Sequence, residues 1–164
     1  IRYGGLNLEQ LGIHARIRER RSVGLLVVLC VLAGPLDYFI YAYSLEFFRG
    51  VVPGEAIFDY RSIVPESGAL RVLAAVYLGV SAGIVEELYF RGFFFRISGY
   101  FRNPRLVYLI GSPLLFALIH WEGTPAGVPA TFVLGLFASI VFLAIRNLWP
   151  LIVGHIYTDY VWYQ

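Results

Sequence analysis

Lysine and methionine are missing from this chain altogether, and cysteine occurs once, as Cys30. A single thiol cannot form an intrachain disulfide, and the apolar run around it makes Cys30 a packed side chain rather than a nucleophile. Charge is scarce as well. Charged residues make up 15% of the 164 residues, where a soluble domain has about 25%. The formal net charge is only +2, and no basic stripe interleaved with aromatics is present, so nothing points to a nucleic-acid partner. Without a methionine, the natural start is expected upstream of Ile1, and the polar or amphipathic first 22 residues do not read as a cleavable signal peptide. What fills the chain is apolar: 59% hydrophobic residues and a mean hydropathy of +0.69. Such a composition excludes an ordinary soluble domain and implies an all-α, polytopic transmembrane helical bundle.

A bilayer span needs about 20 mainly apolar residues, and about five candidates follow along residues 23–164. The first, Val23 to Leu45, contains Pro35 and a lone acid, Asp37. The second runs from about Ala69 into SAGIVEELYFRGFFF, residues 81–95. The third, LVYLIGSPLLFALIHW, is short and is expected to be interrupted at Gly111, Ser112 and Pro113. The fourth covers about Val128 to Ile145, and the fifth begins at Leu148. Before them, residues 1–22 form an amphipathic basic segment suited to the membrane surface. Arg16, Arg18, Arg20 and Arg21 precede the first span, while Arg91, Arg96, Arg102 and Arg105 follow the second. The positive-inside rule then places the N-terminus and the 92–105 connection in the cytoplasm, with loops 46–68 and 121–130 outside.

Ionisable residues at membrane depth cost roughly 2.5–3.5 kcal/mol each on insertion scales and are functional candidates by default. Here they fall in three groups. Glu87 and Arg91 are i,i+4 neighbours in the favoured orientation, while Glu86 points about 100° away from Glu87. One carboxylate can thus be neutralised by Arg91 while the other faces a cavity. Phe116 and His120 share a helix face, as do His155 and Asp159, where a carboxylate one turn away can orient the imidazole. Each group alone could be structural: a buried ion pair, or a polar contact between helices. Their recurrence on three separate spans favours function. No GxSxG, P-loop or HExxH pattern is present, and Ser81 and Ser112 have no neighbouring base in sequence.

In order, EELYFR (86–91), FALIH (116–120) and HIYTD (155–159) resemble the EExxxR, FxxxH and HxxxN/D motifs of the CPBP intramembrane proteases. That family is also called Abi, or the type II CAAX prenyl endopeptidases. The resemblance covers about residues 70–164. It implies a glutamic-type endopeptidase in which Glu86 is the general base and His120 helps hold the water. Glu87, Arg91 and Phe116 would be supporting residues, and His155 with residue 159 would face the oxyanion. Asp159 stands where the motif often has Asn, so it is expected to orient His155 or to stay protonated. The implied reaction needs no cofactor; if it were zinc-dependent, Glu86, His120 and His155 would form the ligand set.

The expected substrate is a membrane-anchored protein or peptide, and the expected location a multi-pass position in the cell membrane. The absence of lysine points to a GC-rich bacterial host and hence to its inner membrane, with protein sorting as a possible role. Two rival readings are a non-catalytic peptide-binding immunity or scaffold protein of the same fold and an ion-coupled transporter. The lack of an inverted repeat speaks against the latter. One geometric conflict stands out. If 92–105 is a surface connection, Glu86 lies near that surface, and His120 lies roughly 20 Å deeper along the third span. The two share a site only if residues 93–105 fold back into the membrane region or the helix carrying the glutamates is tilted with its end deeper.

Overall fold

A computed structural model describes residues 7–14 and 23–164. Five long helices form the bundle: α1 (Val23–Arg49), α2 (Gly68–Glu86), α4 (Pro104–Leu118), α5 (Gly127–Ile145) and α6 (Trp149–Tyr163). Between α2 and α4, a π-helix (Glu87–Phe93) and the short α3 (Phe94–Ser98) prolong α2 without a break. No strand forms among the described residues. Val23–Arg49, Gly68–Ser98 and Gly127–Ile145 are long and apolar enough to cross a membrane. At 15 residues each, α4 and α6 extend only about 22 Å, less than the hydrocarbon thickness of about 30 Å. The large apolar side chains on the outer faces of α1 and α2, such as Val31, Leu32, Leu73 and Tyr77, remain exposed, as a lipid-facing surface requires.

The interior is built on close approach. α6 packs against both α1 and α2, and α4 against α5. Gly79 and Gly83, four residues apart on α2, face the backbone of α6, where an added Cβ would lie 3.1 Å from Ile156 O or 3.2 Å from Ile152 O. Small residues at this spacing let two membrane helices meet backbone to backbone.

Two expectations are corrected. First, α4 is not interrupted: it runs through Gly111, Ser112 and Pro113 as one helix. Proline removes a single N–H, and Gly135 of α5 leaves room for it, since a Cβ there would lie 3.1 Å from Pro113. Second, residues 92–98 are not a surface connection but helix. The turn at 99–103 carries the chain into α4, so Glu86 sits about 18 Å back from Ser98 and His120 about 24 Å along from Pro104. The two therefore reach similar depth, which removes the geometric conflict.

Of the N-terminal segment, residues 7–14 are described. Leu8–Leu11 make one 3-10 turn, ended by Gly12 at φ 99°, and Leu148 N–H donates to Gly12 O (2.9 Å). Ile13 packs on the main apolar core. The chain tucks in because Gly12 tolerates a left-handed conformation. The rest of the amphipathic segment, including Arg16 to Arg21, lies outside the described residues.

Candidate active site

A π-helix begins between the two acids. Adding one residue to a turn widens the helix locally, and such turns are frequent at functional sites. Glu86, the last residue of α2, points into a cavity, and Glu87, the first of the π-helix, points into the protein. The Phe90 carbonyl within the π-turn accepts a hydrogen bond from Ser112 Oγ of α4 (2.8 Å), and Ser139 Oγ of α5 lies 3.3 Å from Ser112 Oγ. Both serines are fully buried. They tie the π-helix to its neighbours, a structural role that sequence reading did not assign.

Glu87 has two partners. Its Oε1 lies 3.0 Å from Arg91 Nη1, an ion pair not aligned as a hydrogen bond, and 2.9 Å from His155 Nδ1. The Arg91 guanidinium also lies 4.1 Å from the Phe116 ring centroid, a cation–π contact that desolvation strengthens. Phe116 meets the His120 and His155 rings as well, at 5.0 and 5.7 Å between centroids. Its ring is thus the shared wall among Arg91 and both histidines. Glu87 was expected, with Arg91, to brace the helix or bind substrate; the geometry adds that it, rather than Asp159, holds Nδ1 of His155.

Glu86 contrasts with its neighbour. Its Oε2 is buried and hydrogen-bonds to no described residue, yet it lies 4.0 Å from His120 Nε2 and 3.9 Å from His155 Nε2. His120 Nδ1 contacts the Phe116 carbonyl at 2.7 Å. Because a carbonyl only accepts, that nitrogen carries the proton. His155 Nδ1 likewise donates to the Glu87 carboxylate. Both imidazoles therefore turn Nε2 toward Glu86. Asp159 Oδ2 lies 3.7 Å from His155 Nε2, so three carboxylates surround that ring.

These groups border one cavity of about 370 Å³. Glu86, His120, His155 and Asp159 line its inner part, with Tyr41, Thr131 and Thr158 around them. Its outer part is formed by Arg49, by Phe58 to Arg61 and by the Gly123–Thr124 loop. The loop around residue 58 is pinned there: Phe58 N–H donates to Glu122 O (2.8 Å), and Tyr60 Oη donates to Glu122 Oε2 (3.0 Å). Partial burial and that hydrogen bond raise the Tyr60 phenol above its ordinary value. Tyr41 and the loop carried no sequence signal for the site, because aromatics and short polar loops are common in any membrane protein. Asp37 did carry one, as the lone acid of its span.

Among the described residues, no group of three His, Cys, Asp or Glu side chains is arranged to hold a metal ion. Ligands of a tetrahedral zinc sit roughly 3.4 Å apart when each is about 2.05 Å from the metal. The 3.9–4.0 Å spacings around Glu86 are wider and suit a bridging water, which typically explains polar contacts beyond 3.5 Å.

Fold and site together define a helical membrane protein with acids and imidazoles gathered in an internal cavity. The profile of the Rce1-like type II CAAX prenyl endopeptidases matches residues 68–161. That is more than half of the chain, and the chain belongs to this family of membrane endopeptidases. No curated protein and no solved structure matches it. The matched region holds all three motifs but not α1 or the loop around residue 58.

Proposed function

We propose that this protein is a multi-pass intramembrane endopeptidase that cleaves a membrane-anchored protein or peptide with water activated by Glu86, without a metal. The observation that carries the reading is Glu86 Oε2, without a hydrogen-bond partner among the described residues and flanked by two Nε2 atoms at 3.9 and 4.0 Å. A water between these groups donates one hydrogen to Glu86 and one to His120 Nε2. Glu86 takes the proton as the water oxygen attacks the scissile carbonyl, and returns it to the leaving amine. His155, with Nδ1–H on Glu87 and carboxylates at Nε2, has the surroundings of an imidazolium. Its Nε2–H is the donor for the tetrahedral oxyanion, a contribution of about 2.7–4 kcal/mol in comparable sites. Asp159 stabilises that cation rather than contacting the oxyanion.

A cavity within a bundle, walled in part by Tyr41, Phe58, Phe116 and Trp162 and lined by the acids and imidazoles, suits an extended peptide segment delivered from the bilayer. We place the protein in a cell membrane, in a bacterial host the inner one, with the cavity opening beside the loops at residues 50–67 and 119–126. The test uses purified protein in liposomes with a panel of membrane-anchored, internally quenched peptides. Wild-type protein cleaves at least one member, Glu86→Gln does not, and a zinc chelator leaves the rate unchanged. Cleavage by the Glu86→Gln protein at the wild-type rate would refute the assignment. Loss of activity on chelation restored by zinc would instead support a Glu86–His120–His155 metal site. Peptide binding without cleavage by the wild-type protein would favour a scaffold.

A further inference from the structure

Asp37 is the one acid in the apolar run 23–45 of α1, and the proposed chemistry does not use it. It is 4% exposed, although an acid at this depth costs roughly 2.5–3.5 kcal/mol on insertion scales. Its surroundings explain where it is aimed. Asp37 Oδ2 occupies the space that a Cβ on Gly154 would fill, with Ala33 Cβ on the same side at 3.3 Å. Only glycine at 154 leaves room for that carboxyl group, and Gly154 immediately precedes His155. One turn on, Thr158 Oγ1 donates to the Gly154 carbonyl (3.0 Å). The charged groups near enough to act on Asp37 are Glu87, His155 and Arg91, the buried half of the site.

The other face of α6 is gripped by α2, whose Gly79 and Gly83 leave room for the backbone at Ile152, Ile156 and Tyr160. A helix held at its backbone by α2 on one side and by the Asp37 carboxyl at Gly154 on the other has little freedom to rotate or slide. That restriction matters because His155 must meet Glu87 at 2.9 Å and face Glu86 at 3.9 Å at once. A misplacement of about 1 Å can cost roughly 10²-fold in rate.

We propose that Asp37 is a positioning residue: its carboxyl group, seated on Gly154, sets the rotation and depth of α6 that bring His155 to Glu87 and Glu86. The residue lies outside the family-matched segment 68–161, so α1 contributes to the site through this contact. The catalytic consequence rests on the endopeptidase reading; the placement of His155 does not.

The experiment therefore has two readouts. Protein labelled with ¹⁵N-histidine in detergent micelles reports the ring N–H of His155 on Glu87, with the ring N–H of His120 on Phe116 as internal reference. Cleavage of the quenched peptides reports kcat and KM, with Glu86→Gln as the inactive control. Asp37→Ala is expected to shift or broaden the His155 signal, leave that of His120 in place, and lower kcat at least tenfold with KM unchanged. Asp37→Asn, which keeps the shape of the seat, is expected to restore both. Gly154→Ala should reproduce the Asp37→Ala defect, and the double variant Asp37→Ala/Gly154→Ala should be less impaired than Gly154→Ala alone. A wild-type His155 signal in folded Asp37→Ala protein overturns the proposal whether or not peptide cleavage is ever observed. A displaced His155 signal with unchanged kcat overturns its catalytic part.

Discussion

Glu86 and Glu87 are adjacent in sequence and live in opposite environments. The Glu87 side chain is 3% exposed and bound to a guanidinium and an imidazole; that of Glu86 is 22% exposed and faces the cavity. A buried carboxylate with two partners is held in one place and resists displacement, because removing a partner strands a charge. A carboxylate whose Oε2 meets two Nε2 atoms at water-bridging distance can take and return a proton. The same functional group is thus scaffold on one side of the helix and reagent on the other.

The sharpest way to break this contrast is to neutralise each glutamate in turn. Glu86→Gln should lower kcat roughly 10³-fold, as expected for loss of a general base, while thermal unfolding in detergent stays at the wild-type temperature. Removing the partner of the other glutamate should do the reverse. Arg91→Ala leaves Glu87 buried without its cation and should destabilise the protein by about 3–5 kcal/mol, read as loss of folded yield and a lower denaturation midpoint. If Arg91→Ala unfolds normally yet is inactive, the scaffold assignment fails.

Smaller effects sharpen the picture. Ser112→Ala deletes the hydroxyl that satisfies the Phe90 carbonyl in the π-turn and should cost about 1 kcal/mol, measured by denaturation, with a modest loss of rate. Smallest is Tyr60→Phe at the outer loop, expected to unfold within about 0.5 kcal/mol of wild type. Its signature is in pH. The Tyr60 phenol is raised in the folded protein, first by partial burial and then by its bond to Glu122. Its small contribution is therefore fully present below the ordinary phenol value of about 10 and fades as pH rises through the higher folded value. The difference between Tyr60→Phe and wild type should vanish in strongly alkaline buffer; a difference that persists there would mean Tyr60 acts by packing alone.

Much of this was legible in the residues. Apolar runs announce helices because a backbone in lipid must satisfy its own hydrogen bonds, and the spacing of Glu87 to Arg91 showed which acid would be neutralised. Other signals were present but unread. The pair Gly79 and Gly83 marks the face of α2 that meets α6, and Asp37 was an unexplained acid in an apolar span. The continuity of α4 through Pro113 was not legible, and the helix through residues 92–98 was only one of the alternatives the sequence left open. Both depend on neighbours: Gly135 making room for the proline, and Ser112 holding the π-turn.

Composition and helical periodicity are local properties, and they suffice to mark a helical membrane protein and the polar side chains that lie at membrane depth. Packing between helices is what puts Glu87 rather than Asp159 on Nδ1 of His155, brings Glu86 to both imidazoles and seats Asp37 of α1 on Gly154. Those relations join residues as far apart as 37 and 154, and distance along a chain carries no information about rotation between helices until they pack.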